Sequence, residues 1–237
     1  MMSFGTLYLI PVPLAENVAA KSYTPYLVNT INHIKEYIVE NSKTARKFLK
    51  EAGLTTPQNE LIIHDYGKHN RASDQNEFFA GLIAGNDVGL MSEAGCPGVA
   101  DPGSEIVAIA HQKGIKVVPL VGPSSILLAI MASGFNGQSF TFHGYLPIDK
   151  AQRASKIKEL ETISEKFNQT QLFIETPFRN NPILEEILRS CKPQTKLCIA
   201  CNLTADDEFI QTKTILQWRK QVPDLHKKPV IFLLFKG

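Results

Sequence analysis

The sequence predicts an α/β protein with two domains, a parallel-sheet domain at 1–120 and a mixed-sheet domain at 121–237. Strand-like apolar runs alternate with helix-like segments over the first part, which is typical of a parallel sheet with right-handed crossovers. The last part instead has strand-like runs with little helix between them. The intervening Val121-Gly-Pro-Ser-Ser125 has the turn residues of a linker.

The first domain is predicted from apolar runs that are separated by turn residues and helix-start signals. Short apolar runs favour strands, and apolar residues at helical spacing after a capping residue favour helices. The predicted strands are 5–10, 37–39, 61–63, 87–91 and 115–120. The predicted helices begin at Thr24-Pro25, at Asn41 or Ser42, at about Asp74 and at Pro102, and the last three end near Gly53, Ala84 and Gln112.

The turn-rich loop from Leu90 to Ser104 is the predicted centre of a ligand site, and its middle is the segment 91–103. Gly95 and Gly98 permit tight turns and close approach of a ligand, because glycine has no Cβ. Asp101 and Pro102 have the residue types of an N-cap and a first helical position. A strand, a glycine-rich turn and a helix together present backbone amides at the carboxyl edge of a sheet. The alternative is a connecting loop with convenient turn residues.

The second domain is predicted to be a mixed sheet. Its predicted strands are 140–145, 171–175, 196–203, 209–215 and 229–235, with helices through 131–133, over 149–166, from Pro182 and around Trp218. The segments 196–203 and 209–215 are separated by a short polar stretch, which favours an antiparallel hairpin.

Composition is that of a globular protein. The chain has 237 residues, 43% of them hydrophobic, and Lys+Arg 25 against Asp+Glu 23 gives a net charge of +2. A nucleic-acid surface must therefore be a local patch. The N-terminus lacks the basic region and cleavage site of a signal peptide, so a cytoplasmic protein is expected.

Four cysteines, Cys96, Cys191, Cys198 and Cys201, do not resemble a disulfide framework in a chain of this length. Cys198 and Cys201 have the spacing of a metal or redox motif, but they lie in a predicted strand. An offset of three residues in a strand places the two thiols on opposite faces. Buried, inert cysteines are expected.

Several motifs occur in a fixed order along the chain. They are Gly5-Thr-Leu-Tyr-Leu-Ile10, Ser92-Glu-Ala-Gly-Cys-Pro-Gly-Val-Ala-Asp-Pro-Gly103, Val117-Val-Pro-Leu-Val-Gly-Pro-Ser-Ser125, Met131-Ala-Ser-Gly134, Phe142-His-Gly-Tyr-Leu-Pro147 and Ile174-Glu-Thr-Pro-Phe-Arg179. In this order they resemble the tetrapyrrole-methylase (class III) methyltransferases, and within them most closely the ribosomal small-subunit RNA cytidine 2′-O-methyltransferases. The resemblance implies two α/β domains with S-adenosylmethionine in the cleft between them, usually in a homodimer.

The chain departs from the family pattern at positions that bear on the methyl acceptor. Ala15 stands where the family has glycine, Glu16 where Asn is usual and Glu93 where Asp is usual. The acidic-acidic-Thr-Arg motif is present as Glu40-Asn-Ser-Lys43, and the Arg-Glu pair of the RNA enzymes is missing before Leu203.

The resemblance also implies roles for individual residues. It assigns the cofactor to Pro11, Glu93, Ala94, Gly95, Ser124, Ser125, Glu175, Thr176, Leu203, Pro229 and Val230. Methyl transfer from a sulfonium needs alignment in a dry cleft and no metal. A ribose hydroxyl acceptor must lose its proton, and the candidates to assist are Glu40, Lys43 and His69 in polar loops after predicted strands.

Contacts to a structured RNA, the expected substrate, are predicted at two places. Lys68, Arg71, Arg46 and Lys47 form a candidate phosphate-binding patch, and Phe142 and Tyr145 are candidates for stacking on a base. Each has a plainer interpretation, namely solvated charges and core packing.

Other functions remain open from the residues alone. The acceptor could be a tetrapyrrole or another small molecule, or the chain could be a cofactor- or RNA-binding module that has lost catalysis. A hydrolase with Cys96 as its nucleophile is a further alternative, although no histidine can be paired with Cys96 from the sequence.

Overall fold

The structure is a computed structural model that describes residues 3–66 and 75–237. The chain forms two compact units, Met1–Ser124 and Ser125–Gly237. No helix within the described ranges is long and apolar enough to span a membrane.

The first unit is built on a five-stranded sheet in which every neighbouring pair is parallel. Its strands are β1 (Thr6–Leu9), β2 (Glu36–Val39), β3 (Ile62–Asp65), β4 (Val88–Met91) and β5 (Lys116–Pro119), in the spatial order β3-β2-β4-β1-β5. Its helices are α1 (Ala19–Ser22), α2 (Pro25–His33), α3 (Ser42–Glu51), α4 (Gln75–Phe78), α5 (Ala80–Ile83) and α6 (Ser104–Gln112). The predicted parallel sheet is confirmed.

Two helix starts follow from capping residues that the sequence indicates. Thr24 caps α2, since its hydroxyl accepts a hydrogen bond from the Leu27 amide at 3.1 Å. Asn41, one of the two predicted candidates, caps α3 by accepting from the amides of Lys43 and Thr44 at 2.9 and 3.3 Å.

Three boundaries of the first unit were predicted wrongly. Helix α6 begins at Ser104, because Gly103 before it has φ +120° and is its N-cap in place of Asp101. The predicted helix ending near Ala84 is interrupted by a turn at Phe79, which separates α4 from α5. Strand β3 continues through His64 and Asp65, which were predicted to be loop residues, because both are in register with β2.

The parallel sheet is covered on both faces. One core cluster contains Tyr37 and Met91, and another contains Ile38 and Leu90, so successive residues of β2 and of β4 point to opposite faces. Gly89 lies where an added Cβ would come 2.7 Å from the Tyr37 ring. Each fully buried aliphatic side chain here contributes about 1.5–3 kcal/mol.

The second unit is built on a mixed five-stranded sheet, as predicted. Its strands are β6 (Phe140–Tyr145), β7 (Thr170–Ile174), β8 (Lys196–Cys201), β9 (Phe209–Thr214) and β10 (Val230–Phe235), in the order β6-β7-β10-β8-β9. β6 and β7 are parallel, whereas β10 is antiparallel to both β7 and β8, and β8 and β9 form the predicted antiparallel hairpin. Its helices are α7 (Ser125–Ser133), α8 (Lys150–Phe167), α9 (Asn180–Ser190) and α10 (Ile215–Trp218).

Helix α9 begins at Asn180, two residues before the predicted start at Pro182, and follows a 3-10 turn at Pro177–Arg179. The proline is tolerated there because the first helical turn needs no intrahelical N–H bond from it.

The cysteines of the second unit are free and buried. Cys201 belongs to the core cluster around Trp218, and Cys198, three residues earlier on β8, does not, which confirms that the two thiols face opposite sides. Burial raises the pKa of Cys191 to about 12 and that of Cys198 to about 11. These thiols are packing groups, because a nucleophile or metal ligand must be a thiolate.

Candidate functional site

A groove of about 210 Å³ lies at the carboxyl edge of the parallel sheet. Its walls are the segment after β1, helix α3 and the loop after β4, and it is lined by Val12, Pro13, Leu14, Ala15, Glu16, Thr44, Lys47, Phe48, Glu51, Glu93 and Ala94. Phe48 and Val12 are buried and form an apolar floor, whereas Glu16 and Glu93 are exposed. Ligands of parallel α/β sheets bind at this edge.

Gly95 joins the loop after β4 to the segment after β1. Its amide donates to the Val12 carbonyl at 2.8 Å, and the Val12 amide donates to the Gly95 carbonyl at 2.9 Å. Gly95 has φ +71°, and a Cβ added there would lie 3.3 Å from Leu14. The glycine is therefore needed for backbone conformation, and its amide hydrogen bonds to protein. The predicted Pro11 is buried immediately before this bridge.

Glu93 and Ala94 are exposed beside the groove. The Thr44 hydroxyl donates to the Glu93 carboxylate at 3.4 Å, which links the loop after β4 to helix α3. A carboxylate in this position can accept hydrogen bonds from ribose hydroxyls, as acidic residues do in dinucleotide sites. The sequence did not indicate Thr44 as a site residue, because nothing but its place in the first turn of α3 marks it.

The structure describes two of the three predicted catalytic residues, Glu40 and Lys43. Glu40 is half-buried directly after β2, and Lys43 is exposed in the first turn of α3. His69 lies outside the described residues, as do Lys68 and Arg71 of the predicted phosphate patch. The structure thus brings Glu40 and Lys43 to the carboxyl edge of the sheet.

The two residues between Glu40 and Lys43 have structural roles. Asn41 is the helix cap described above, and Ser42 donates through its hydroxyl to Asp65 at 2.9 Å. Both interactions explain how this altered motif still holds the start of α3 against β3.

Asp101 is an acidic residue of the site that the sequence did not single out as one. Burial raises its pKa to about 6, with further contributions from the negative charges of Glu40 and Glu93 and an opposing one from a hydrogen bond with Ser92. Its interpretation as a helix N-cap concealed this role. Carboxyl groups from three segments thus influence one another at this edge, which makes it attractive to a cation.

The predicted phosphate contacts on α3 are already engaged by protein groups. Lys47 forms an ion pair with Glu16 at 3.0 Å and is 4.0 Å from Glu51. Arg46 donates to the backbone carbonyl of Gln58. Glu16, a departure from the family pattern, therefore neutralises the lysine next to the groove.

In the second unit, the predicted cofactor residues gather at one edge of the mixed sheet. β10 is antiparallel to β7 and β8, with Ile231 opposite Ile174 and Val230 opposite Cys201. The start of β10 therefore lies beside the ends of β7 and β8. Glu175, Thr176, Leu203, Pro229 and Val230 occupy these strand ends.

Leu203 lies in a loop with unusual backbone geometry. The flanking Asn202 and Thr204 have φ +51° and +72°, and the Asn202 amide donates to the Pro229 carbonyl at 3.0 Å. Non-glycine residues in this region of φ are uncommon and cluster at binding sites. Leu203 and Val230 are buried, and Pro229 is exposed.

Glu175 differs from the other predicted cofactor residues, because both of its carboxylate oxygens are engaged within the second unit. One accepts from the Thr176 amide at 2.8 Å, and the other lies 2.6 Å from the guanidinium of Arg179. The Glu175 side chain is 1% exposed. Glu175 thus fixes the turn that carries Thr176.

Ser124 and Ser125 are half-buried. The preceding Pro123 accepts a hydrogen bond from the Cys96 thiol at 3.4 Å through its carbonyl, so this segment passes beside the loop after β4. Burial raises the pKa of Cys96. A raised pKa and a bonded thiol disfavour the alternative in which Cys96 is a nucleophile.

The predicted stacking residues lie on β6. Phe142 is half-buried, and Tyr145 is 60% exposed. Of these two residues, only Tyr145 presents a ring that is largely open to solvent.

The residues at the carboxyl edge of the first sheet fit S-adenosylmethionine, which carries a sulfonium and an ammonium charge. The acidic groups of Glu40, Glu93 and Asp101 favour such a cation. Within the described parts of the chain, no group of three or more histidine, cysteine or acidic side chains is arranged to hold a metal ion.

Comparisons with a family model and with named proteins all indicate a methyltransferase family. Residues 20–217 match the model of the Tetrapyrrole (Corrin/Porphyrin) Methylases. A Vibrio cholerae protein named Ribosomal RNA small subunit methyltransferase I is 29% identical over 98% of this chain and 77% of its own length. Proteins of the same name from Synechocystis and Bacillus subtilis are 30% and 32% identical, over 84% and 74% of this chain and 67% and 56% of their own lengths.

A solved structure supports the fold. The crystal structure of the methyltransferase CobJ superposes with a TM-score of 0.63 over 99% of this chain and 95% of that one, at 16% identity. The chain therefore belongs to the tetrapyrrole (corrin/porphyrin) methylases, and it is an S-adenosylmethionine-dependent methyltransferase.

Proposed function

We propose that the protein transfers a methyl group from S-adenosylmethionine to a ribose 2′-hydroxyl of ribosomal RNA in the small subunit. The observation that carries the proposal is the alignment of 98% of this chain with a relative named Ribosomal RNA small subunit methyltransferase I. An acceptor of this kind also agrees with the expected cytoplasmic location.

The cofactor is proposed to contact the residues that the family resemblance assigns to it. Glu93 and Ala94 in the first unit, and Thr176, Leu203 and Pro229 in the second, lie at strand ends where ligand contacts are expected. Gly95 and Glu175 have a supporting role, because they hold the backbone of these segments, and Pro11 remains a proposed cofactor contact. Ser124, Ser125 and Val230 complete the proposed set.

The bound cofactor supplies an electrophilic methyl group on a sulfonium. On methylation, the acceptor hydroxyl would exchange its proton for the methyl group, so a base must take up the proton. We assign Glu40 to take this proton, since it lies directly after β2 at the carboxyl edge of the sheet. Lys43, three residues later in the first turn of α3, is proposed to stabilise the developing negative charge on the oxygen.

The groove between α3 and the loop after β4 is proposed to receive the acceptor nucleotide. Its apolar floor of Val12 and Phe48, with Leu14 beside it, is suited to a base or sugar ring. The acidic residues near it disfavour phosphates, so RNA backbone contacts must come from other surfaces.

Methyl transfer from labelled S-adenosylmethionine tests the proposal. The protein is incubated separately with small ribosomal subunits lacking methylation, naked small-subunit RNA and a tetrapyrrole mixture. Label that stays with a ribose after the nucleobases have been cleaved from the RNA supports the proposal. Label only in the tetrapyrrole fraction, or cofactor binding without transfer to any acceptor, contradicts it.

We infer that the active form is a homodimer. Helix α7 has no charged residue, and its Leu127 and Met131, one turn apart, are 54% and 78% exposed. Exposed apolar surface of this kind is typical of protein interfaces. Sedimentation of the protein and of Met131→Glu tests this, because the substitution should shift a dimer towards monomer, and a monomeric native protein would refute it.

A further inference from the structure

One exposed surface of the second unit combines an aromatic ring with basic groups and has no part in the site described above. It is formed by Phe178, in the 3-10 turn after β7, and by His226 and Lys227, in the segment before β10. We call these three residues the Phe178 patch. Phe178 is 66% exposed, the Lys227 ammonium lies 5.9 Å from its ring centre, and the His226 ring is 6.0 Å away at 75°.

The two segments that carry the patch are fixed to each other. The Lys227 amide donates to the Pro177 carbonyl at 3.0 Å, and the side-chain amide of Asn180 donates to the Lys228 carbonyl at 2.7 Å. Asn180 is fully buried, and Lys227 has φ +60°. An exposed ring on such a fixed turn loses little conformational entropy when a ligand binds.

The charge of the patch is suited to an anionic partner. Lys227 contributes one positive charge, and His226 can add a second when it is protonated. Asp224 is the acidic group beside them, and it accepts hydrogen bonds from the Asn181 side chain at 2.7 Å and the His226 amide at 3.0 Å. By contrast, the edge of the first unit is acidic and its Lys47 is paired with Glu16.

We propose that the Phe178 patch binds a single-stranded segment of the RNA substrate, with a base stacked on Phe178 and a phosphate at Lys227. An aromatic ring flanked by cations is the usual platform for an unpaired nucleotide. The patch adjoins Thr176 and Pro229 in the chain, and both belong to the proposed cofactor set. This inference rests on the proposed RNA acceptor, and it names the protein surface that holds RNA outside the acceptor groove.

Fluorescence anisotropy with a labelled single-stranded RNA of ten mixed nucleotides tests the patch. Phe178→Ala should weaken binding about tenfold through lost stacking, and Phe178→Tyr should restore it. Lys227→Gln should weaken binding and lower the slope of log affinity against log salt by about one unit. Because Phe178 is exposed, these variants should fold.

The chain offers a matched control at the other end of β7. Phe167 is 59% exposed, and the Lys166 ammonium lies 5.1 Å from its ring centre. Phe167→Ala and Lys166→Gln remove the same kinds of group from two consecutive residues at the end of α8. They should leave RNA affinity within about twofold of the native value, since a solvated surface pair contributes little.

The outcomes separate this inference from the proposed function. If the native protein methylates small-subunit RNA but Phe178→Ala binds the probe as tightly as the native protein does, the patch assignment is wrong and the function stands. Loss of affinity that is equal in the Phe178 and Phe167 variants also refutes it. If Phe178→Ala changes the sedimentation of the free protein and leaves RNA affinity unchanged, the surface contacts a second copy. A native protein that neither binds nor methylates RNA refutes both proposals. The patch inference also requires that Phe178→Ala binds S-adenosylmethionine with the affinity of the native protein.

Discussion

The amide of Gly95 donates a hydrogen bond to the carbonyl oxygen of Val12 at 2.8 Å, and the Val12 amide returns one to Gly95 at 2.9 Å. This pair ties the loop after β4 to the segment after β1. Its consequence is that Gly95 fixes the backbone of one wall of the groove, while the Glu93 side chain remains exposed beside it.

Gly95→Val is expected to destabilise the first unit and abolish cofactor binding. A β-branched residue at φ +71° is strained, and its Cβ would approach Leu14 at 3.3 Å. We expect the free energy of unfolding to fall by about 1–3 kcal/mol. Urea denaturation and calorimetric titration with S-adenosylmethionine measure the two effects. Gly114→Val, with φ +72° and no atom within 4 Å of its added Cβ, is the matched control, and it should lose stability but keep cofactor affinity. Native affinity in Gly95→Val would remove this loop from the site.

Lys43→Ala should lower turnover at least tenfold and leave cofactor affinity unchanged. Lys43 is exposed in the first turn of α3, so its loss removes a charge near the acceptor without disturbing the core. Single positioned charges at a developing oxyanion commonly contribute about 3 kcal/mol. Lys50→Ala, an exposed lysine in the last turn of the same helix, is the control. Equal turnover in the two variants would exclude Lys43 from the mechanism.

The free energy of unfolding should fall as the pH rises towards 6, because the Asp101 carboxyl loses its proton in that range. Its pKa is raised from 3.8 to about 6 in the folded chain, so the folded state binds the proton more tightly than the unfolded state. The favourable contribution present at low pH is lost as the pH passes from 3.8 to about 6. After allowance for solvent screening, the loss is about 1 kcal/mol. Urea denaturation at acidic and alkaline pH should show a smaller pH dependence for Asp101→Asn than for the native protein. An identical dependence would mean that the carboxyl titrates normally.

Glu175→Gln is expected to destabilise the second unit and weaken cofactor binding, since it leaves the Arg179 guanidinium without its anionic partner. Because the Arg179 side chain is 33% exposed, we expect the free energy of unfolding to fall by about 2 kcal/mol, which is less than for a fully buried ion pair. Glu186→Gln is the control. Its carboxylate is 2% exposed and pairs with Arg189 in helix α9. Thermal unfolding should shift in both variants, and only Glu175→Gln should weaken S-adenosylmethionine binding. Equal cofactor affinity in the two would show that the turn after β7 is unimportant for the ligand.

The fold was largely predictable because its signals are local. Apolar runs between turn residues predicted every strand of both sheets, and the side chains of Thr24 and Asn41 identified two helix starts. The boundary errors occurred where backbone geometry overrode residue type. Asp101 and Pro102 have the residue types of a helix start, yet Gly103 at φ +120° delays α6 until Ser104. His64 is polar, and it nevertheless extends β3, because its Nε2 atom forms a hydrogen bond with the Glu36 carboxylate of β2 at 2.9 Å.

The sequence by itself determined the two-part α/β architecture, the order of family motifs and the strand ends where the proposed ligand-binding residues lie, since each follows from short-range patterns. Only the tertiary structure decided which of those residues remain available to a ligand. Lys47 is paired with Glu16, 31 positions away, the Gly95 amide is bonded to Val12, and the Glu175 carboxylate is buried against Arg179. The burial of Asp101 and the meeting of Phe178 with Lys227 likewise arise from packing between distant segments. Such contacts depend on how the strands are ordered in space, and no local pattern encodes that order.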